Sequence, residues 1–179
     1  LGFFSNHSFV SIDGFPSLMS LDSLHIEDND SLSVIELPGL VSITRNLTFS
    51  GNDALSYVVP LADITAIGNN LVIWDNDSLI SFDILPALET VGGSFSFRNN
   101  DALVGFPSLT NLESTGQWLN IQDNAALSSL DGLNNVSTVG GNLHLLDNHC
   151  LSQTEAEFLA LQISVGGEIS VEDNLGPCN

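Results

Sequence analysis

The sequence predicts a mainly β fold in which the chain winds into a solenoid of about eight stacked coils. The first observation behind this prediction is an asparagine that returns at steps of 23 to 26 residues: Asn6, Asn29, Asn52, Asn76, Asn100, Asn124, Asn148 and Asn174. Such a period is typical of repeat proteins, whose units stack and bury their apolar faces against one another. At 179 residues the chain is expected to form a single solenoid domain over residues 1–179.

The second observation is the apolar pattern around each asparagine. Before it, apolar residues alternate, as in Leu71 and Ile73, which indicates a short strand with both side chains directed inward. After it, apolar residues recur at every third position, as in Leu79, Phe82 and Leu85, a spacing that fits a chain turning corners. One strand from each coil would then stack on the next to form a parallel sheet.

The recurrent asparagines are interpreted as a structural ladder. A corner after a strand leaves backbone groups without ladder partners, and an inward amide side chain both donates and accepts hydrogen bonds. A role in ligand binding would instead require these amides to be exposed. The predicted ladder consists of Asn29, Asn52, Asn76, Asn100, Asn124 and Asn148.

The sequence of residues 149–179 predicts a cap for the last coil, and this cap begins with a short helix. Ser152 or Thr154 is expected to cap this helix, with acidic residues in its first turn. We expect Leu151, Phe158 and Leu161 to face the last coil.

The chain has two cysteines, Cys150 and Cys178, near the same corner of adjacent repeats. This placement predicts a disulfide that closes the end of the solenoid, and two buried thiols are the alternative. A disulfide would indicate an oxidising, extracellular compartment.

The segment from Leu85 to Leu103 resembles the receptor L-domain, a relative of leucine-rich repeats, and the segment from Cys150 to Cys178 resembles the cap of its free-standing versions. Such domains form ligand-binding lobes of the insulin-receptor and epidermal-growth-factor-receptor families. Similar arrays occur in fungal GPI-anchored cell-wall proteins and in surface proteins of bacteria and protists. The resemblance implies a right-handed, single-chain solenoid at a cell surface or outside the cell, without catalytic residues.

The charge balance narrows the set of partners. Two basic residues against 22 acidic ones give a net charge of −20, which would repel nucleic acid and anionic lipid. Apolar runs stay well short of a membrane span, so no insertion is expected. No signal peptide is visible and the chain begins inside a repeat, so we expect upstream sequence to be missing.

Acidic residues flank the asparagines in two columns, of which Asp75 and Asp77 are examples. They are expected to be solvated or to hold Ca²⁺ loosely, and their spacing matches no dedicated calcium loop. Paired carboxylates in a cleft, which glycoside hydrolysis needs, are not apparent. We therefore predict no enzymatic activity, no metal site and no cofactor.

The outward strand positions stack in columns and supply the candidate contact surface. Trp74 and Arg98 lie one coil apart in one column, where a cation–π contact is expected. Scattered surface apolar residues without a binding role are the alternative. The predicted binding residues are Val72, Trp74, Arg98, Gln122 and Leu146.

Five Asn-x-Ser/Thr sequons occur in the chain. Three use the corner asparagines Asn6, Asn29 and Asn76, which are predicted to point inward and to carry no sugar. In a eukaryotic protein Asn46 and Asn135 would be the glycan sites; in a bacterium the sequons would have no meaning.

These observations predict an extracellular, non-enzymatic binding or adhesion module that recognises a protein or a glycan at a cell surface. One alternative is a structural subunit that self-assembles end to end into a filament or wall. Another is an ice-binding protein with a flat column of small residues: Ser20, Ser42, Ala66, Thr90, Ser114 and Thr138.

Overall fold

Eight parallel strands form one wall of the solenoid, with one strand from each predicted coil. They are seen in the computed structural model of the protein, which describes residues 1–176 and residue 178. Seven turns of chain join these eight strands, so the predicted β-solenoid is confirmed.

The described part of the chain contains eighteen strands, one short 3₁₀ turn at Asp131–Leu133 and one α-helix, Gln153–Gln162 (α1). The strands, in chain order, are Gly2–Phe4 (β1), Ser11–Ile12 (β2), Ser20–Leu21 (β3), Leu24–Glu27 (β4), Val34–Ile35 (β5), Ser42–Ile43 (β6), Leu47–Ser50 (β7), Tyr57–Val58 (β8), Ala66–Ile67 (β9), Leu71–Trp74 (β10), Thr90–Val91 (β11), Phe95–Arg98 (β12), Ser114–Thr115 (β13), Leu119–Gln122 (β14), Thr138–Val139 (β15), Leu143–Leu146 (β16), Ser164–Val165 (β17) and Ile169–Glu172 (β18).

These strands form three parallel sheets. The main sheet has the order β1-β4-β7-β10-β12-β14-β16-β18, and a second sheet of two-residue strands has the order β17-β15-β13-β11-β9-β6-β3. A third, β2-β5-β8, is confined to the first coils. Equivalent repeat positions pair directly, so that Leu71 lies between Leu47 and Phe95. Side chains one coil apart are therefore spaced by about 4.8 Å.

The inward side chains form one continuous core. Leu71 and Ile73 of β10 are fully buried, and so are the residues at every third position after the asparagine, such as Leu79 and Phe82. In the middle coils the aromatic rings of Phe82 and Phe97 meet edge to face with their centroids 4.7 Å apart. Each coil is buried only by its neighbours, as expected for a repeat protein.

The asparagine ladder is confirmed. The Asn100 Nδ2 donates to the carbonyls of Ile73 (2.9 Å) and Arg98 (3.0 Å), while its Oδ1 accepts from the backbone N–H of Asn76 (3.2 Å). The same contacts recur along the ladder, and its members are fully buried: Asn29, Asn52, Asn76, Asn100, Asn124 and Asn148. Asn6 differs, because it is exposed in the first coil, so the burial expected of an inward asparagine is wrong at this position.

The residue before each of the eight recurrent asparagines adopts a left-handed backbone conformation. Its φ lies between 50° and 63° in Ser5, Asp28, Gly51, Asp75, Asn99, Asp123, Asp147 and Asp173. Glycine, asparagine and aspartate tolerate this conformation better than other residues do. The acidic column before the asparagine is thus explained by backbone geometry.

The cap differs from its prediction in the orientation of α1. Ala156, Leu159 and Ala160 face the core, whereas Phe158 and Leu161 are 64% and 85% exposed. The predicted inward placement of Phe158 and Leu161 is wrong, because the buried face follows the 156, 159, 160 spacing of a helix.

The other features of the cap agree with expectation, except that no side chain caps α1. Leu151 is buried, and Ser152 is the N-cap residue of α1, although its side chain makes no capping hydrogen bond. Cys150 and Cys178 form the predicted disulfide, with their Cα atoms 4.9 Å apart.

Among the described residues, no helix combines the length and the apolar character needed to cross a membrane.

Candidate binding groove on the strand face

The outward columns of the main sheet stack as predicted. Trp74 pairs with Arg98, which pairs with Gln122 and then with Leu146 in successive strands. Two positions earlier in each strand, Val72, Ser96 and Asn120 form the adjacent column. Side chains from four consecutive coils therefore share one surface.

A groove of about 310 Å³ lies on this surface. Of the predicted binding residues, Val72, Trp74 and Arg98 line it, while Gln122 and Leu146 are half-buried farther along the sheet and do not. Its complete lining is Asn70, Val72, Trp74, Ser94, Ser96, Arg98, Gln117, Trp118 and Asn120.

Trp74 lies at the carboxyl end of its strand and forms one side of the groove. Its indole Nε1 donates a 2.9 Å hydrogen bond to the Ser96 Oγ of the next coil. The guanidinium carbon of Arg98 lies 5.8 Å from the indole centroid, so the predicted cation–π contact is confirmed. These two contacts orient an aromatic ring that stays 37% exposed.

Trp118 lies just before the amino end of its strand and forms the opposite side of the groove. It is 48% exposed and was not among the predicted binding residues. Its ring centroid lies 5.8 Å from that of His144 in the next coil.

Trp118 interrupts a second ladder at the strand entrances. There the Oδ1 of Asn46 accepts from the N–H of Asn70 (3.2 Å), and the Oδ1 of Asn70 accepts from the N–H of Ser94 (2.9 Å). The ladder resumes where Asn142 accepts from Glu168 (3.0 Å). An indole ring has no acceptor for this role. The departure of position 118 from the Ser/Asn pattern is the signal by which the sequence could have revealed this residue.

The floor of the groove is polar and almost completely covered. Ser96 and Asn120 point outward, yet they are only 5% and 6% exposed. The Asn120 Nδ2 makes a long 3.5 Å hydrogen bond to the Ser96 Oγ. The Asn120 Oδ1 has no hydrogen-bond partner within the described structure. A buried acceptor without a donor is unusual in proteins, because its lost hydration is not replaced.

The two arginines have different surroundings. Arg45 forms an exposed ion pair with Asp22, and this hydrogen-bonded contact lowers the pKa of Asp22 and raises that of Arg45. Arg98 has no carboxylate within salt-bridge distance among the described residues. The groove thus carries a positive group on a strongly negative molecule.

The second acidic column lies after the ladder asparagines. Loss of hydration and repulsion from Asp101, Asp53 and Asp75 raise the pKa of Asp77 above its ordinary 3.8. Within residues 1–176 and 178, no three His, Cys, Asp or Glu side chains come together in a way that could hold a metal ion. Loose Ca²⁺ binding at the acidic column stays the alternative to solvated carboxylates.

A second, polar groove of about 430 Å³ lies on another face and is lined by Glu89, Asn111, Glu113, Asn135 and Ser137. Asn135, one of the two predicted glycan sites, is exposed there, and its Nδ2 donates to the Thr110 carbonyl. Asn46, the other predicted glycan site, is half-buried and uses its Oδ1 in the strand-entrance ladder. Glycosylation at both positions stays a prediction.

No protein family, curated protein or solved structure matches this chain. The resemblance to receptor L-domains is therefore an expectation from the sequence alone.

Proposed function

We propose that the protein is a non-enzymatic binding module that works outside the cell or at its surface, and that the groove between Trp74 and Trp118 is its contact site. The observation that carries this proposal is that the two tryptophans of the chain lie on one groove. Half-exposed tryptophans are enriched at recognition surfaces, because they bury much area on contact and lose little conformational freedom.

The surroundings of the groove support binding rather than catalysis. The strand backbone below it is fixed on both sides by parallel pairing, and the ladder asparagine after each strand fixes the corner. A rigid platform of this kind holds contact residues in place before the partner arrives. The groove lining contains no carboxylate, thiol or imidazole that could act as nucleophile or base.

Placement outside the cell is supported by the disulfide between Cys150 and Cys178. Disulfides persist in oxidising compartments and are rare in reducing ones. The net charge of −20 agrees with a soluble surface that avoids polyanions.

Binding of the labelled protein to intact bacterial, yeast and animal cells, followed by flow cytometry, tests this proposal. We expect at least one cell type to bind the wild-type protein, and Trp74→Ala with Trp118→Ala to abolish that binding. Tyr57→Ala is the matched control, because Tyr57 is 54% exposed on the three-stranded sheet, away from the groove. Equal binding by the double variant and the control would refute the groove as the contact site.

End-to-end assembly is a second candidate function. The outer face of α1 exposes Leu161, which lines an apolar groove of about 390 Å³ together with Ile169 and Val171. Sedimentation velocity over a hundredfold concentration range tests this candidate. A single monomeric species at every concentration would argue against it.

Ice binding is a third candidate function. The outward positions of the second sheet form a continuous column, in which Thr90 pairs with Ser114 and Ser114 with Thr138. A thermal-hysteresis assay tests this candidate, and Thr90→Lys would abolish any hysteresis that depends on the column.

A further inference from the structure

We infer that the groove between Trp74 and Trp118 binds a neutral saccharide. A pyranose ring would pack on the exposed indole of Trp118, while Asn120 and Ser96 would hydrogen-bond its hydroxyl groups. This inference rests on the proposed function, since it names the ligand class of the same groove.

Trp118 supplies the aromatic surface on which the sugar ring would pack. Its indole takes the place of the hydrogen-bond acceptors that other coils carry at the strand entrance, so one ladder contact is given up for an exposed ring. A sugar ring presents a face of C–H groups and an edge of hydroxyls. The face suits an indole, which supplies a large apolar surface with a polar edge.

The floor of the groove supplies the polar groups that would bind the sugar hydroxyls. The Ser96 Oγ accepts hydrogen bonds from Trp74 Nε1 and Asn120 Nδ2, and its own hydroxyl hydrogen has no recorded acceptor in the described structure. The Asn120 Oδ1 has no donor. A free donor therefore lies beside a free acceptor. Neighbouring sugar hydroxyls, each of which both donates and accepts, match this pair after a small rotation of the weakly held Asn120 amide.

The size and charge of the groove favour a small neutral ligand. A volume of about 310 Å³ lies at the lower end of the usual range for small-molecule sites. Arg98 is the only cation in the lining, and the net charge of −20 disfavours a polyanionic chain. Side-chain amides and hydroxyls supply most of the remaining polar lining, and these groups suit neutral hydroxyl partners.

Tryptophan fluorescence gives a direct test, because the protein's only two tryptophans line this groove. The probes are neutral gluco-, manno-, galacto- and N-acetylglucosamine oligosaccharides, together with glucuronate-containing ones. We expect at least one neutral series to shift the emission and to protect the indoles from acrylamide quenching, with saturation.

Variants then test the assigned roles. Trp118→Ala is expected to raise the dissociation constant by about tenfold or more. Trp118→Phe, which keeps an aromatic face, should raise it by less. Asn120→Ala should also weaken binding, whereas Tyr57→Ala should leave it unchanged. Circular dichroism of each variant confirms folding. The quenching experiment on the wild-type protein needs no variant.

The outcomes separate this inference from the function on which it rests. If no saccharide alters the fluorescence while cell binding still depends on Trp118, the saccharide is wrong and the groove has a protein partner. A response confined to the glucuronate series would overturn the neutral-ligand assignment in favour of an anion site at Arg98. If neither saccharides nor cells bind, both proposals fail.

Discussion

The indole nitrogen of Trp74 donates a hydrogen bond to the Ser96 hydroxyl of the next coil, at 2.9 Å. This contact crosses from the edge of the groove to its floor and holds an exposed ring in one orientation. Arg98 lies against the same ring, with its guanidinium carbon 5.8 Å from the centroid. The side wall of the groove is therefore set before any ligand arrives.

Replacement of Ser96 by alanine is expected to release Trp74 while leaving the fold intact. The loss of one neutral hydrogen bond costs about 1 kcal/mol of unfolding free energy. In a Trp118→Phe background, where Trp74 is the only tryptophan, acrylamide quenching of tryptophan emission should increase. Ser94→Ala is the control, because Ser94 lines the groove without contacting the Trp74 nitrogen. Unchanged quenching in the Ser96 variant would show that the hydrogen bond does not orient the ring.

Asn100→Ala removes a central member of the asparagine ladder. It leaves the carbonyl of Ile73 and the N–H of Asn76 buried without their partners. At about 1–3 kcal/mol for each unsatisfied group, we expect a loss of about 4 kcal/mol of unfolding free energy, measured by urea denaturation.

Asn6→Ala is the matched control for the ladder, because Asn6 occupies the same repeat position but is exposed. Its effect should stay within about 0.5 kcal/mol. Similar losses for Asn6→Ala and Asn100→Ala would mean that burial of the amide is not what stabilises the corner.

The features that the sequence predicted correctly are those that recur. Nearly every coil has an asparagine equivalent to Asn76 and an apolar residue equivalent to Leu79. The same physical reason for their burial therefore applies in coil after coil. Trp118 escaped prediction because a tryptophan occurs only once at this position, where Ser23, Asn46, Asn70, Ser94 and Asn142 stand in other coils. Its role depends on the side chains that the winding brings beside it, such as Asn120 and Ser96.

The buried face of the cap helix was predicted wrongly for a different reason. Phe158 and Leu161 are large and apolar, and their size suggested burial, whereas the smaller Ala156 and Ala160 occupy the inward face. A ten-residue helix has only a few inward positions, and the preceding turn sets which ones they are. That turn cannot be derived from apolar content alone.

Gly116→Ala is expected to be strongly destabilising. A Cβ at Gly116 would overlap the carbonyl oxygen of Gly92 in the preceding coil, and backbone atoms cannot move aside without shifting both coils. We expect a loss of about 3 kcal/mol, a value typical of severe overpacking. Gly105→Ala is the control, because the nearest atom to its added Cβ, the Ser129 carbonyl oxygen, would lie 3.4 Å away. Equal melting temperatures for the two variants would contradict this explanation.

Asp77 makes the unfolding free energy of the protein depend on pH. Loss of hydration and repulsion from Asp101, Asp53 and Asp75 raise its pKa in the folded protein above 3.8, its ordinary value in an unfolded chain. The folded state therefore holds this proton more tightly than the unfolded chain does. The contribution of Asp77 to stability is favourable below pH 3.8 and is lost as pH rises through the folded pKa.

The substitution Asp77→Asn removes this charge and keeps an oxygen at the same place. At pH 7 we expect the melting temperature to rise by about 2 °C, and the difference from wild type should vanish near pH 3.5. Added salt should shrink the difference at pH 7, because it screens the carboxylate repulsion. Asp13→Asn is the control for a general effect of net charge, and an equal gain from it would remove the special role of the column.

Reduction of the disulfide between Cys150 and Cys178 should loosen the cap and leave the central coils unchanged. The bond closes a loop with a sequence separation of 28, for which chain entropy predicts about 3.5 kcal/mol of stabilisation. Because each coil contacts only its neighbours, the loss should be local. Hydrogen exchange should speed up at Val171 in β18 after reduction, while Ile73 in β10 keeps its protection. A Cys150→Ser, Cys178→Ser variant should show fast exchange at Val171 with or without reductant. A uniform increase along the whole chain would mean that the solenoid unfolds as one cooperative unit.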